Sequence, residues 1–195
     1  MTAGQQDLAP LLQTRGLTKT FGSVAALSSV DFNLYPGEVH ALLGENGAGK
    51  STLIKLITGV YRKDAGKILL EGEEIAPRDP HHAQAYGIST VYQEINLIPT
   101  LSVAENIYLG RQPMRFGLVD MRTTNRRARG LLEQFNIHID VARTLSSFSV
   151  AIQQLVAIAR GVDMSAKVLI LDEPTASLDR TEVNLLFDVI RSLKQ

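Results

Sequence analysis

The chain has 195 residues, of which 45% are hydrophobic and 21% charged, and its formal net charge is zero. This length and composition fit one globular domain with a proper core. Neutrality argues against a general electrostatic attraction to nucleic acid or to an anionic membrane surface, although a local patch is compatible with it. The chain has no cysteine, which excludes disulfides and thiolate metal sites.

No stretch of the sequence has the about 20 apolar residues that cross a bilayer, and the N-terminus does not look like a secretion signal. The last residues, 181–195, have apolar side chains at helical spacing and then stop without a capping residue. This pattern predicts that the sequence is a fragment of a longer protein.

The first third of the chain is predicted to form strands around one helix. From Leu11 to Leu43, short apolar runs alternate with the turn residues FGS and YPGE, which favours several short strands. EVHALLG is predicted to be a buried strand that leads into a glycine-rich turn, and KSTLIKLITGV the helix after it. AGKILLEGEEI predicts a hairpin around Gly72, and GISTVYQE a short strand.

Helical spacing dominates between Leu101 and Arg160, in SVAENIYLG, RRARGLLEQFN and AIQQLVAIARGV. KVLILDEP then predicts a strand buried on both faces of a parallel sheet. Strands and helices on both sides of a helical block indicate an α/β core with an inserted helical subdomain.

One segment fits the phosphate-binding pattern G-x-x-x-x-G-K-[ST] without a gap. Its glycines allow the backbone to turn N–H groups toward phosphate oxygens, and the helix that follows adds its positive end. Lys50 is predicted to reach the β- and γ-phosphates, and the Ser51 hydroxyl to bind Mg²⁺. The predicted ATP-binding residues of this loop are Gly44, Glu45, Asn46, Gly47, Ala48, Gly49, Lys50, Ser51 and Thr52.

A second candidate site lies where VLIL ends in two acids. Asp172 is predicted to hold Mg²⁺, and Glu173 to act as the general base toward the attacking water. A strand that simply ends in solvated acids before Pro174 is the alternative, and the phosphate loop upstream favours the functional interpretation.

Five segments together resemble the nucleotide-binding domain of an ABC ATPase. They are LLGENGAGKSTLIKLITGVY, VYQE, LSVAENIYLGR, SVAIQQLVAIAR and VLILDEPTASLD, in that order. These segments resemble the ATPases of bacterial monosaccharide importers, and RFGLVD together with FSVAIQQ and SAKVLILDEPTASLD resembles the galactofuranose type most. The resemblance implies a P-loop NTPase with a RecA-like core, an N-terminal antiparallel β subdomain and an inserted α-helical subdomain. It divides the single, C-terminally incomplete domain at about 11–92, 93–160 and 161–195.

The resemblance also assigns roles to residues outside the phosphate loop and the acidic strand end. Phe21 matches the aromatic residue on which adenine stacks, with a core phenylalanine as the alternative. Gln93 matches the glutamine that contacts Mg²⁺ and the attacking water. Ser177, Leu178 and Asp179 match a segment that touches the partner domain, although the same residues could cap the following helix.

The stretch FSVAIQQLVAIAR, residues 148–160, permits two interpretations. It could be an ordinary capped helix, or a modified form of the family signature that contacts the partner's nucleotide. In the second case Ser149 offers its hydroxyl, and Val150 and Ala151 offer backbone N–H groups, to a γ-phosphate. Ile152 departs from the usual signature of the family, because it replaces a polar residue there.

The family also has a switch histidine, which has no counterpart in this sequence, since His40, His81, His82 and His138 stand in other places. His81 and His82 are predicted to lie on the surface at a helix start. The absence predicts slow ATP hydrolysis by this stretch alone.

By resemblance, the cofactors are ATP and Mg²⁺. The implied partners are a membrane-spanning permease, a second nucleotide-binding domain and, indirectly, a periplasmic sugar-binding protein, with no nucleic acid. The implied location is the cytoplasmic face of the bacterial inner membrane. Two alternatives remain open, an ATP-binding module without turnover and a soluble ABC ATPase that does not serve transport.

Overall fold

A computed structural model of the chain describes residues 9–45, 47–91, 97–175 and 178–193. The chain divides into two compact units, one that runs to Ser89 and one formed by Thr90–Leu193. The strands of the described residues are Leu12–Phe21 (β1), Val24–Leu34 (β2), Ala65–Leu70 (β3), Glu73–Ile75 (β4), Ile88–Val91 (β5), Met114–Arg115 (β6), Leu118–Val119 (β7) and Val168–Leu171 (β8). The α-helices are Lys50–Ile57 (α1), Pro80–Ala85 (α2), Val103–Ile107 (α3), Met121–Glu133 (α4), Val150–Asp163 (α5) and Arg180–Leu193 (α6).

The first unit is built on an antiparallel sheet with the strand order β2-β1-β3-β4. Instead of the several short strands predicted, the segment up to Leu34 forms two long strands of 10 and 11 residues. The pairing register of β1 and β2 shifts between Thr14 and Leu17, around Gly16, which has a φ of 58°. The shift lets one long strand follow the twist of the sheet. The hairpin predicted around Gly72 is confirmed, because Leu70 pairs with Glu73.

One predicted strand is absent. EVHALLG, residues 38–44, has no strand geometry and belongs to none of the sheets of the described residues. Leu43 is 90% exposed. A buried parallel strand needs a neighbouring strand for its backbone groups and layers on both faces. Because this run lacks both, the prediction of a buried strand was wrong.

The second unit is mainly helical, and the three helices predicted between Leu101 and Arg160 are confirmed as α3, α4 and α5. Their apolar faces share one core with α6, in which Val103, Leu132, Leu155 and Leu186 are almost fully buried. α3 begins with a capping box, in which Ser102 accepts from the N–H of Glu105 and the Glu105 carboxylate accepts from the N–H of Ser102.

The acidic strand β8 pairs with β5 in a two-stranded sheet. Only Val168 is fully buried, and Leu169–Leu171 are half-buried. The prediction of a strand buried on both faces was therefore too strong, although Leu169 and Leu171 do pack against the helical core. No helix within the described ranges is long and apolar enough to cross a membrane.

Candidate functional site

The predicted phosphate loop joins residue 44 to the start of α1. Gly47 and Gly49 have φ angles of 87° and 90°, in the left-handed region that side chains rarely adopt. Between them, the N–H of Ala48 donates to the carbonyl of Glu45 at 3.1 Å. Asn46 lies outside the described residues. Two left-handed glycines therefore turn the chain sharply enough to start a helix directly at Lys50.

Gly49 occupies the tightest place in this loop. A Cβ on Gly49 would lie 2.7 Å from Leu27 Cδ2 and 2.8 Å from the carbonyl oxygen of Ala26, both on β2. Real Cβ atoms do not approach backbone oxygens so closely. The loop is thus held against the sheet by a contact that admits glycine only.

The helix start below the loop suits an anion. Gly49 is the N-cap of α1 and offers no side-chain acceptor, and the first turn of the helix contains no acidic residue. The free N–H groups and the positive end of the helix dipole therefore face the loop without an internal anion. Ser51 is exposed and Thr52 is half-buried in this first turn.

The Lys50 ammonium lies over the loop itself. Its Nζ donates to the carbonyl oxygens of Gly44 at 2.5 Å and of Glu45 at 2.8 Å. These bonds place the positive charge at the mouth of the turn, where the flexible side chain can exchange carbonyl oxygens for phosphate oxygens. The residues of the loop thus have the donors that bind a polyphosphate.

Phe21 ends β1 and is not a core residue, because 43% of its surface is exposed. Its ring packs edge-on against Tyr61, with the centroids 5.1 Å apart, and the Lys19 ammonium lies 5.4 Å from its centroid. Lys19 is itself paired with Asp64 at 2.8 Å, and its hydrogen bond lowers the pKa of that carboxyl. The ring is therefore held in place from the side and has accessible surface for stacking.

The two predicted catalytic acids directly follow β8. Asp172 is half-buried, and its N–H donates to the carbonyl of Val91 at 3.0 Å, which extends the pairing of β8 with β5 by one residue. Glu173 is exposed and has a φ of 47°. A glutamate in this left-handed region has a strained backbone, a feature that is frequent at functional sites.

The segment around Ser149 is a capped helix, as one interpretation of the sequence predicted. Ser149 is the N-cap of α5 and accepts a long bond, 3.5 Å, from the N–H of Ile152. Ser149 and Val150 are exposed, whereas Ala151 is buried, and Ile152 packs against the helical core. Ile152 thus has a structural role that explains an apolar residue there. Contact with a partner's nucleotide stays a prediction.

Of the predicted dimer-contact segment, Ser177 lies outside the described residues. Asp179 caps α6, since its Oδ1 accepts from the N–H groups of Thr181 and Glu182 at 2.8 and 2.9 Å. Leu178 is half-buried against the helical core. The capping alternative is therefore confirmed for Asp179, and the partner contact stays a prediction.

Gln93, the second predicted catalytic residue, also lies outside the described residues. His81 and His82 lie in the first turn of α2, as predicted, and His138 is exposed in a loop. The His40 ring lies 2.9 Å from a carboxylate oxygen of Glu38.

Two residues that position the site were not predicted. Leu27 backs Gly49, and Tyr61 supports the Phe21 ring. Both contacts join segments that are distant in the chain, and neither residue was assigned a role from the sequence. Only their apolar or aromatic character would have indicated a packing role.

The comparisons with known proteins agree with these motifs. The family model described as ABC transporter matches residues 27–176. The galactofuranose transporter ATP-binding protein YtfR of Escherichia coli strain K12 is 58% identical over 194 residues, which is 100% of this chain and 38% of that protein. The ribose import ATP-binding protein RbsA 1 of Rubrobacter xylanophilus is 54% identical, over 96% of this chain and 38% of that protein.

Solved structures with the same fold include two proteins of ABC transporters. The ADP conformation of MJ1267, an ATP-binding cassette of an ABC transporter, gives a TM-score of 0.82 at 27% identity, over 95% of this chain and 77% of that one. The cbiO1 protein from Clostridium perfringens, part of an ABC transporter complex, gives 0.80 at 28% identity, over 95% and 74%. The expected P-loop α/β fold class is thereby confirmed.

Proposed function

The chain belongs to the ABC transporter family, and on that premise we propose that it is the ATP-binding part of an importer for a monosaccharide of the galactofuranose or ribose class. The observation that carries the proposal is the phosphate loop, in which Gly49 has no room for a side chain and Lys50 stands at the mouth of the turn. The chain spans about two fifths of the length of the curated relatives, 38%. The activity, substrate and partners of the whole protein are therefore all part of the proposal.

The residues present fit Mg-ATP. Ser51 offers an exposed hydroxyl in the first turn of α1, and Asp172 offers a half-buried carboxylate at the end of β8. Both are hard oxygen ligands of the kind that Mg²⁺ prefers. No group of three or more His, Cys, Asp or Glu that could hold a metal occurs within the described parts of the chain. We expect the ion to enter with the nucleotide, whose phosphates would supply further oxygen ligands.

The chain's residues have distinct tasks in this proposal. The loop amides and Lys50 bind the β- and γ-phosphates, and Phe21 stacks on the adenine. Glu173 accepts a proton from the attacking water, and Gln93 orients that water. When bound, Mg²⁺ neutralises the charge that develops on the phosphates.

The remaining predictions concern the assembled importer. Ser149, Val150 and Ala151 would contact the nucleotide of a second nucleotide-binding domain, and Ser177–Asp179 would touch that domain. Permease subunits would hold the pair at the cytoplasmic face of the inner membrane, and a periplasmic binding protein would supply the sugar. The names of the two importer relatives support this assignment over a soluble ABC ATPase that does not serve transport.

Titration with a fluorescent ATP analogue in the presence of Mg²⁺ tests the proposal. We expect Lys50→Ala to weaken binding at least tenfold, because a charge-assisted phosphate contact is lost. Lys67→Ala is the control, since Lys67 is an exposed lysine on β3 that pairs with Glu74 at 3.0 Å. Equal binding by wild type and Lys50→Ala would contradict the proposal.

The import function needs a separate measurement in cells. A Lys50→Ala change in the full-length protein should abolish uptake of labelled galactofuranose or ribose, and Lys67→Ala should leave it intact. Slow hydrolysis by the 195-residue stretch stays a prediction, and release of phosphate from labelled ATP measures it. An ATP-binding module without turnover would bind the nucleotide but release no phosphate.

A further inference from the structure

A small hairpin in the second unit exposes apolar side chains at its tip. β6 and β7 pair through Met114 with Val119 and Arg115 with Leu118. Phe116 is 92% exposed, Leu118 74% and Met114 62%. Single exposed apolar residues are ordinary, but here several stand together on a projecting turn.

The backbone conformation of the turn residue Phe116 argues against a role for these exposed side chains in the stability of the fold. Phe116 and Gly117 have φ angles of 52° and 79°, the type I′ pattern that favours Asn-Gly. A phenylalanine there has a strained backbone and leaves its ring in water. Strain of this kind at an exposed position indicates a function rather than a contribution to folding.

The hairpin lies within the most basic stretch of the chain. Residues 111–129 contain six arginines and one acid, Asp120, although the whole chain has a net charge of zero. Arg111 is paired with Asp163 at 2.8 Å. The Arg115 guanidinium lies 5.4 Å from the Phe116 ring centroid, directly beside the apolar tip.

Three of these arginines form a stripe on α4. Arg122, Arg126 and Arg129 are exposed and recur at the spacing of one helical face. The buried residues of the same helix, Thr124, Ala128, Leu131 and Leu132, lie on the opposite face. Glu133 ends the basic stripe.

We propose that the hairpin Met114–Val119 and the stripe Arg122–Arg129, together the basic hairpin surface, dock on a bilayer that contains anionic lipids. A projecting apolar tip flanked by arginines combines the two attractions that interfacial binding needs, burial of apolar side chains and charge complementarity with headgroups. A protein partner is less favoured, because a stable protein interface buries about 800 Å² on each side around an apolar core, whereas here the apolar side chains are confined to the hairpin and the rest of the surface is arginine. This proposal goes beyond nucleotide binding and does not depend on it.

The absence of tryptophan from the chain allows a direct test. Phe116→Trp places a single reporter at the hairpin tip, and Phe187→Trp on α6 is the control at another exposed phenylalanine. With vesicles of phosphatidylcholine and phosphatidylglycerol in equal parts, we expect a blue shift of the Phe116→Trp emission and quenching by brominated lipid. Phosphatidylcholine vesicles alone should give neither change, and the Phe187→Trp emission should not shift with either vesicle. No shift in Phe116→Trp, or an equal shift in both variants, would overturn the proposal.

Co-sedimentation with the same vesicles measures the contribution of charge. Arg122→Gln with Arg126→Gln should weaken binding about 25-fold at low salt, since each arginine near an anionic surface contributes about fivefold. Arg62→Gln with Arg78→Gln removes two exposed arginines of the first unit and should leave binding within about twofold. All variants should keep ATP-analogue binding, which shows that they are folded and separates this proposal from the nucleotide proposal. Equal vesicle binding by the two double variants would refute the role of the basic hairpin surface in docking on the bilayer.

Discussion

Gly49 and Leu27 meet at the base of the phosphate loop, where a Cβ on the glycine would lie 2.7 Å from the Leu27 Cδ2 atom. Gly49 has two tasks there. Its φ of 90° starts α1 directly after the turn, and its missing side chain lets the loop lie against β2. The phosphate-binding motif is thus positioned by a packing contact with a strand that carries no motif.

The contact predicts different costs for two glycines of the loop. Gly47→Ala should destabilise by about 1–2 kcal/mol, because it strains a left-handed residue but meets no atom within 4 Å. Gly49→Ala adds overpacking against Leu27 and Ala26, which costs about 1–3 kcal/mol more. Urea unfolding followed by circular dichroism measures both variants. Equal free energies of unfolding would show that backbone strain alone accounts for Gly49.

The backbone of Glu173 predicts that activity and stability conflict at this residue. Its φ of 47° should cost about 1 kcal/mol relative to glycine. Glu173→Gly is therefore expected to raise the free energy of unfolding by about that amount, and Glu173→Ala is not, because alanine keeps the Cβ. Both variants lack the carboxylate and should abolish ATP hydrolysis by the full-length protein. Comparison of the two variants thus separates the backbone strain from the loss of the carboxylate. Equal free energies of unfolding for Glu173→Gly and Glu173→Ala would contradict the strain.

The local chemistry of the motifs could be predicted from the sequence, because each depends on a few neighbouring residues. The helix after the loop of Gly44–Ser51 and the strand VLIL before the two acids were both predicted, and both are present. The run 38–44 could not be predicted correctly, since its burial depends on neighbours elsewhere in the chain. For the same reason, the contacts of Leu27 with Gly49 and of Tyr61 with Phe21 could not be predicted. The role of Asp179 could not be decided from the sequence, because helix capping and contact with a partner domain favour the same residue types.

The caps of α3 and α5 predict unequal losses on serine substitution. Ser102 takes part in a capping box, in which its hydroxyl oxygen accepts from the Glu105 N–H at 3.2 Å and its hydroxyl donates to the Glu105 carboxylate at 2.5 Å, so Ser102→Ala should cost about 1–2 kcal/mol. Ser149 accepts only one long bond of 3.5 Å, so Ser149→Ala should cost about 0.5 kcal/mol or less. Thermal unfolding of both variants measures the difference. A loss at Ser149 as large as that at Ser102 would mean that its hydroxyl serves the helix rather than a nucleotide.

Tyr108 predicts an alkaline loss of stability in the second unit. Burial and, second, the nearby Asp163 carboxylate, which accepts from the Tyr108 hydroxyl at 3.1 Å, together raise the pKa of Tyr108 to about 12. The ordinary tyrosine pKa is about 10. Between about pH 10 and 12 the unfolded chain has lost this proton and the folded chain keeps it, so the free energy of unfolding falls by about 1.4 kcal/mol per pH unit. Below about pH 10 the contribution is fully present.

Absorbance at alkaline pH tests this directly, because the Tyr108 phenol should ionise late. Tyr108→Phe should remove the late phase, flatten the fall in stability, and cost about 1 kcal/mol at neutral pH through the lost hydrogen bond to Asp163. Tyr86→Phe is the control and should keep the late phase. If that phase persists in Tyr108→Phe, the Tyr108 hydroxyl is not protected by burial and Asp163, and the link that it forms between α3 and α5 contributes little to the unit.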